Sequence, residues 1–205
     1  MTRTFLLPAD AINDGDVSDG YCNQLCPQIE TVGIDSYDNA WARPAGYAIS
    51  SVSDLAAFAN FLMKGDERVL NDEVRVGMIS EQINTKEYLD VASYGYGIMV
   101  YKGVFLGSDF YRTKILTHGG AIGGYSAELW AVPSADFVFV TLANADGAYF
   151  RKSLVYALGE IAAMPAPSSP PDDSVNPADF DKFVGEYEDK FNVGAIYITK
   201  ESGEL

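Results

Sequence analysis

Lys114-Ile115-Leu116-Thr117-His118-Gly119-Gly120-Ala121-Ile122-Gly123-Gly124 is the stretch on which the fold turns, with Tyr125 to Val132 and Phe137 to Leu142 directly behind it. Lys114 to Thr117 is an apolar, strand-like run, and His118, the only histidine of the chain, ends it. The two following segments also have strand character, and the connection Pro133-Ser134-Ala135-Asp136 is turn-like, so antiparallel hairpins are expected. Phe137-Val138-Phe139-Val140-Thr141-Leu142 is apolar on both faces, which predicts a strand buried inside a sheet rather than an edge. An imidazole followed by side-chain-free backbone can present a titratable group and amide N–H groups to a ligand. The same letters also spell a glycine-rich turn, and both readings stay open at this point.

Working outward, Ser51-Val52-Ser53-Asp54 has the form of a capping box with Asp in place of Glu or Gln. Leu55, Phe58, Ala59 and Leu62 then recur at helical spacing, and Lys64-Gly65 closes that helix. Asn71 is placed to cap a second short helix through Ile79, with Val74 and Met78 on one side. Tyr94 to Tyr101 is expected as one strand whose glycines mark a close approach. Phe150, Leu154, Ala157, Leu158 and Ile161 mark a last amphipathic helix. Asn144 is expected to cap that helix rather than to act in chemistry.

Residues 1–46 carry little periodicity and are expected as a long irregular segment. Residues 165–177, rich in proline, have no hydrophobic period and are expected as a linker. Beyond them come a short helix from Pro177 to Val184 and two strands, Gly185 to Tyr187 and Ala195 to Thr199. These cannot enclose a core, so residues 178–205 are expected to open a second, β-rich domain.

The chain has 205 residues, 48% apolar and 21% charged, an ordinary globular composition. Its formal charge of −15 argues against nucleic acid as a partner, because phosphates are repelled rather than neutralised. No apolar run is long enough to span a bilayer, and the start through Pro8 is too abruptly broken to be a signal peptide. Cys22 and Cys26 are the two cysteines. They form either one disulfide, which implies an oxidising compartment, or two free thiols. One histidine and one cysteine pair leave no set of metal ligands, and no cofactor is expected.

Pro44-Ala45-Gly46-Tyr47 leading into Ser51-Val52-Ser53-Asp54-Leu55, then Tyr94-Gly95-Tyr96-Gly97, His118-Gly119-Gly120 and Leu142-Ala143-Asn144, in that order, resemble the class C β-lactamase-related serine hydrolases. That group includes β-lactamases, DD-peptidases of the penicillin-binding type, D-aminopeptidases and carboxylesterases. Met1-Thr2-Arg3-Thr4 is similar to a Gly-Met-x-x-Thr stretch that such enzymes carry past their second motif. The resemblance implies an α/β fold of the α+β kind, an antiparallel sheet flanked by helices, β-lactamase/transpeptidase-like and incomplete, over residues 1–164. Phe183-Val184-Gly185-Glu186-Tyr187 is similar to the start of the lipocalin-like barrel appended to some members.

Such enzymes act through a serine in Ser-x-x-Lys, a Tyr-x-Asn and a Lys/His-x-Gly, forming an acyl-enzyme that water resolves. No serine of this chain has lysine three residues later. Tyr21-Cys22-Asn23 and Tyr37-Asp38-Asn39 match Tyr-x-Asn by letters but lie on the wrong side of the Met1 stretch, so both are taken as coincidences. Only the third motif is present. The resemblance therefore implies the C-terminal part of a hydrolase for amide, β-lactam or ester substrates, inactive alone, with a non-catalytic peptide- or peptidoglycan-binding relative as the alternative.

By the same resemblance His118 is the catalytic-site cation position, lining the cleft and supporting a tyrosine. Gly119 and Gly120 leave room for a substrate backbone, and Ala121 offers one oxyanion-hole N–H. A small-molecule or peptide substrate is the expected partner, in a periplasmic or secreted setting. Because N-terminal strands of such folds pair beside the last strand, Phe137 to Leu142 is expected to find a partner for its edge. The candidates are another copy, a swapped segment or Ala195 to Thr199.

Overall fold

The computed structural model describes every residue except 25, 37, 42, 86–90, 173–175, 190–193, 203 and 205. Tyr37 of the second Tyr-x-Asn triplet lies outside the described residues. The chain divides into two compact units, Met1–Pro170 and Pro171–Leu205.

Part of the N-terminal region expected to be irregular is ordered by local rules. Pro8 sits in the first turn of α1 (Pro8–Asp14), where its missing N–H costs nothing, and Gly15 ends the helix at φ 83°. A small hairpin follows, β1 (Gly20–Cys22) paired with β2 (Glu30–Val32). Then comes α2 (Val52–Lys64), where Ser51 Oγ accepts from the Asp54 N–H at 3.2 Å and Gly65 stops the helix. Asp54 does not complete the capping box; its carboxylate turns instead to the segment Thr2–Thr4.

Asn71 caps α3 (Asp72–Met78) through the Glu73 N–H. Val74 is exposed, and the inward position belongs to Arg75. Its guanidinium takes the Leu62 carbonyl at 2.5 Å and Asp72 Oδ1 at 2.7 Å. The last turn of α2 leaves carbonyls without intrahelical partners, and a buried guanidinium satisfies them where valine cannot.

The sheet runs β3 (Ile83–Asn84), β4 (Ala92–Tyr94), β5 (Met99–Tyr101), β8 (Ile115–Ile122), β9 (Tyr125–Val132) and β10 (Phe137–Ala143), in spatial order β10-β9-β8-β5-β4-β3. All its pairings are antiparallel. A separate hairpin, β6 (Val104–Leu106) and β7 (Asp109–Tyr111), lies between β5 and β8 in sequence. Tyr94 to Tyr101 is two strands, not one: a side chain at Gly95 would collide with the Met78 carbonyl, and Gly97 has φ 77°. The glycines make a turn at which the chain reverses.

Two cores sandwich the sheet. Ala59 and Leu62 of α2 pack with Val100, Leu116, Leu129 and Ala131 on one face. Leu154 and Leu158 of α4 (Arg151–Glu160) pack with Ile115 and Val132 on the other. Successive residues Ile115 and Leu116 thus serve opposite cores, the two-residue period of a strand. Leu116 is wholly buried, so truncating it to alanine is expected to cost roughly 2–5 kcal/mol.

β10 corrects one expectation. Val138 and Val140 pack toward α2, and Phe137 and Phe139 toward α4, so both faces are covered. Yet β10 is the outermost strand, with no partner on its far side among the described residues. β12 (Gly194–Ile198), which carries most of the Ala195 to Thr199 candidate, pairs with β11 (Gly185–Asp189) in the second unit. An apolar pattern on two faces reports layers above and below, not neighbours within the sheet.

Ser168 donates its N–H to the Phe110 carbonyl at 2.8 Å, tying the start of the proline-rich stretch to β7. In the second unit a 3-10 helix, Pro177–Lys182, is capped by Asn176 through the Ala178 N–H.

Candidate active site

His-Gly-Gly is neither a strand end nor a turn. β8 continues through it to Ile122, and the reversal comes at Gly123-Gly124, where Gly124 has φ 83°. A side chain at Gly124 would also strike Val32 of β2. Gly124 is required by the fold.

Gly119 and Gly120 are not. A Cβ on Gly119 would come no nearer than 3.7 Å to the Ala127 carbonyl, and one on Gly120 would lie 3.5 Å from the Ala127 Cβ. Both are ordinary van der Waals contacts, so nothing in the protein's own packing asks for glycine there. What their missing side chains leave free is space on the exposed side of β8.

That side is open. β5 pairs with β8 only from Ile115 to Thr117, while β9 pairs as far as Ile122. The two-residue turn makes Ile122–Tyr125 the closing hydrogen-bonded pair. Alternation along the ladder then directs the N–H and C=O of Ala121 and Gly119 away from β9, toward the edge that no described strand covers. Ala121 therefore offers an unpaired donor at the edge, and His118, Gly119 and Gly120 are exposed beside it.

His118 is fixed from two sides. Its Nε2 lies 2.9 Å from the Tyr94 hydroxyl and its Nδ1 lies 2.6 Å from the Gly119 carbonyl. A carbonyl only accepts, so Nδ1 carries the proton and Nε2 accepts from Tyr94. Tyr94, at the end of β4, is a site residue that its place in a Tyr-Gly-Tyr-Gly run did not single out. The signal is three-dimensional: β5 alone separates β4 from β8 in the sheet.

A cavity of about 620 Å³ adjoins this end of β8. Gly120, Ala121, Tyr125, Ala127 and Asn144 line it from the sheet, and Ser50 and Ser51 from the start of α2. Burial, with Asp19 nearby, pushes the Tyr125 phenol up, so it stays protonated and donates to the Ser18 carbonyl at 3.0 Å. Asn144 does not cap the next helix, which begins at Arg151 after Phe150. Its Nδ2 donates to the Asp19 carbonyl, and its own carbonyl accepts from the Tyr21 N–H, seating β1 beside the cavity.

Two further anchors hold the rim. Asp54, buried, accepts from the Thr2 and Arg3 N–H groups at 3.1 and 2.7 Å and from the Thr4 hydroxyl at 2.8 Å. Burial alone would raise this carboxyl, but the three donors outweigh it and hold it below the usual 3.8. The buried Asp146 accepts from the Asn23 and Gln24 N–H groups. Cys22 and Cys26 are joined in a disulfide in this loop, with Cα atoms 5.7 Å apart. Among the described residues no three His, Cys, Asp or Glu side chains gather to hold a metal, and no helix is long and apolar enough to cross a membrane.

Comparison with known proteins agrees with this architecture. The unguisins hydrolase ungD' of Aspergillus campestris is 29% identical over 167 residues, 77% of this chain and 29% of that protein. The octameric penicillin-binding protein homologue from Pyrococcus abyssi superposes with a TM-score of 0.62 at 23% identity, covering 78% of this chain and 34% of the other. A D-stereospecific amidohydrolase from Streptomyces sp. superposes at 0.53 and 23% identity, covering 69% and 39%. The chain thus spans about a third of the length of the relatives it matches. The sequence model described as Beta-lactamase matches residues 1–162, and with an antiparallel sheet between helices the chain belongs to the beta-lactamase family.

Proposed function

We propose that this chain supplies one wall of the active site of a serine hydrolase acting on an amide, β-lactam or ester through an acyl-enzyme. The observation that carries the reading is the open edge of β8, where His118, the bare backbone of Gly119 and Gly120 and the outward Ala121 N–H stand together beside the 620 Å³ cavity. An extended substrate lies along this edge as an added strand, and the bare Gly119 and Gly120 leave room for its side chains on either face. The Ala121 N–H receives the developing oxyanion, a role whose loss typically costs about 100- to 1,000-fold in rate. His118, held by Tyr94 and the Gly119 carbonyl, lines the cleft beside the reacting groups and the second-motif tyrosine.

The attacking serine, its lysine and the Tyr-x-Asn tyrosine are supplied by a segment outside these 205 residues, because no Ser-x-x-Lys occurs within them. Without that nucleophile the covalent step cannot run. Residues 178–205, within the second unit, open a lipocalin-like β domain; the β11–β12 hairpin supports that reading. The Cys22–Cys26 disulfide supports a periplasmic or secreted location. β10 is the surface on which a strand of the catalytic segment or of another copy pairs.

The test is active-site labelling with a fluorophosphonate and with a fluorescent penicillin. The chain alone should not label, the product of the gene including its upstream coding sequence should, and His118→Ala in that product should slow labelling. Upstream coding sequence with no Ser-x-x-Lys, or labelling indifferent to His118 and to Gly120→Val, would overturn the reading and favour a peptide- or peptidoglycan-binding relative.

A further inference from the structure

We propose that a second site, at the opposite end of β8, binds a phosphate-bearing anion between Lys102, Arg112 and Lys114. A cavity of about 580 Å³ opens there, lined by these three cations with Ser80, Glu81 and Thr113 among its other walls. The β5–β8 register creates it. Tyr101 pairs with Ile115, so the next residue outward on each antiparallel strand, Lys102 and Lys114, emerges at the same end of the sheet. Arg112 and Thr113 arrive from β7. Counted along β8, the site lies roughly 20 Å from Gly120, at about 3.3 Å per residue.

The charge balance is unusual for this molecule. With a net charge of −15, most of its cations have carboxylates at hand, as Arg3, Arg43, Lys64 and Arg68 show. Among the described residues Glu81 is the only carboxylate lining the cavity, and it is taken up by Lys102 at 2.8 Å and by the Ser93 hydroxyl at 3.3 Å. Arg112 and Lys114 have no carboxylate partner among the described residues. Burial lowers the pKa of Lys114; Glu81 opposes that shift and Arg75 reinforces it. An ammonium partly stripped of water, whose nearby Glu81 is already engaged by Lys102, gains from an incoming anion.

Arg112 is already oriented. Its guanidinium lies 5.7 Å from the centroid of the Phe110 ring, and Nη2 reaches the Ser169 carbonyl at 3.5 Å. A guanidinium held by a ring offers its remaining N–H fork to two oxygens of one tetrahedral group, which neither lysine can do. The acidic remainder of the chain does not forbid this, because exposed charges beyond about 8 Å are largely screened at physiological salt. A dianion also matches two unpaired cations better than a single carboxylate does. Free phosphate and a phosphate monoester share this chemistry.

The experiment is calorimetric titration of the protein with inorganic phosphate and, separately, with glycerol 3-phosphate, at ionic strength held constant with sodium chloride. Saturable binding is expected, weakened about tenfold or more by Arg112→Gln and by Lys114→Met. Arg151→Gln, which removes the cation beside Trp130, should leave it unchanged. Binding of inorganic phosphate assigns the site to the free ion, and binding of glycerol 3-phosphate alone assigns it to a monoester. No saturable binding of either, or equal affinity in the Arg112→Gln and Lys114→Met variants, overturns the proposal. The readout does not involve hydrolysis, so it fails or succeeds independently of the active-site reading.

Discussion

The Tyr94 hydroxyl lies 2.9 Å from His118 Nε2 and holds the ring from one side, while the Gly119 carbonyl accepts the Nδ1–H at 2.6 Å from the other. Because His118 is the sole histidine, its ring gives one set of imidazole signals. Tyr94→Phe should leave the fold and the Nδ1–H form intact and shift the Nε2 15N signal, which loses its hydrogen-bond partner. In the labelled full-length protein the acylation rate should fall about 2- to 10-fold, the range of one ordinary hydrogen bond. An unchanged Nε2 shift in the variant would show that Tyr94 does not position the ring.

Gly119→Ala and Gly120→Val separate packing from function. The added Cβ atoms meet only ordinary contacts at 3.7 and 3.5 Å. Gly119→Ala should therefore hold or raise stability by about 0.5–1 kcal/mol, the usual gain on replacing a strand glycine. Substrate or probe binding at the β8 edge should weaken at least tenfold in Gly120→Val, where a branched side chain crowds the cavity that Gly120 lines. Denaturant midpoints and labelling rates, measured side by side, decide it. A loss of stability that tracks the loss of labelling would make the glycines structural.

Acid should release the N-terminal segment. The folded Asp54 carboxyl lies below its usual 3.8, so the unfolded chain takes up a proton more readily. Stability from this group is complete above about pH 4–5 and is lost as pH falls through the lowered folded value. Asp66, held at about 2 by Arg68, titrates still lower but is solvent-screened and adds little. Asp54→Asn should flatten the acid limb of melting temperature against pH and speed hydrogen exchange at Phe5 and Ile49, the bridge behind the Thr2–Thr4 contacts. An acid limb identical in the variant would remove Asp54 from the account.

β10 should mediate association. By the alternation of its ladder with β9, Val138, Val140 and Leu142 point their N–H and C=O groups to the uncovered side, and Leu142 is 38% exposed. Light scattering across a concentration series should show association of the isolated chain. Leu142→Lys should reduce it, since charge on an edge discourages strand addition. A wild-type chain monomeric at all concentrations would contradict this.

Helices α2, α3 and α4 and the long strands β8, β9 and β10 were legible because each announces itself locally: Ser51 and Asn71 as caps, Gly65 as a stop, Leu55 to Leu62 as a periodic face. The same does not hold for α1, β1 and β2, which lie inside the stretch expected to be irregular. The short strands Val104–Leu106 and Asp109–Tyr111 were not, since three residues carry too little pattern. Tyr94 to Tyr101 misled because its period suits a strand, while the reversal is imposed by contact of Gly95 with Met78. At the candidate site the motif pointed to His118, Gly119, Gly120 and Ala121. Tyr94 and the free edge depend on strand order, which no local spacing encodes.

Ile115 faces the α4 core and Leu116 the α2 core, so β8 is a ruler graduated in steps of two. Inserting or deleting a single residue upstream of His118 would swap inside for outside along the whole remaining strand. Relatives that keep this histidine usable should differ in length here by even numbers, or absorb the odd residue in a bulge. Parity, more than the identity of any one hydrophobic side chain, is what a transplant of this motif onto another sheet would have to preserve.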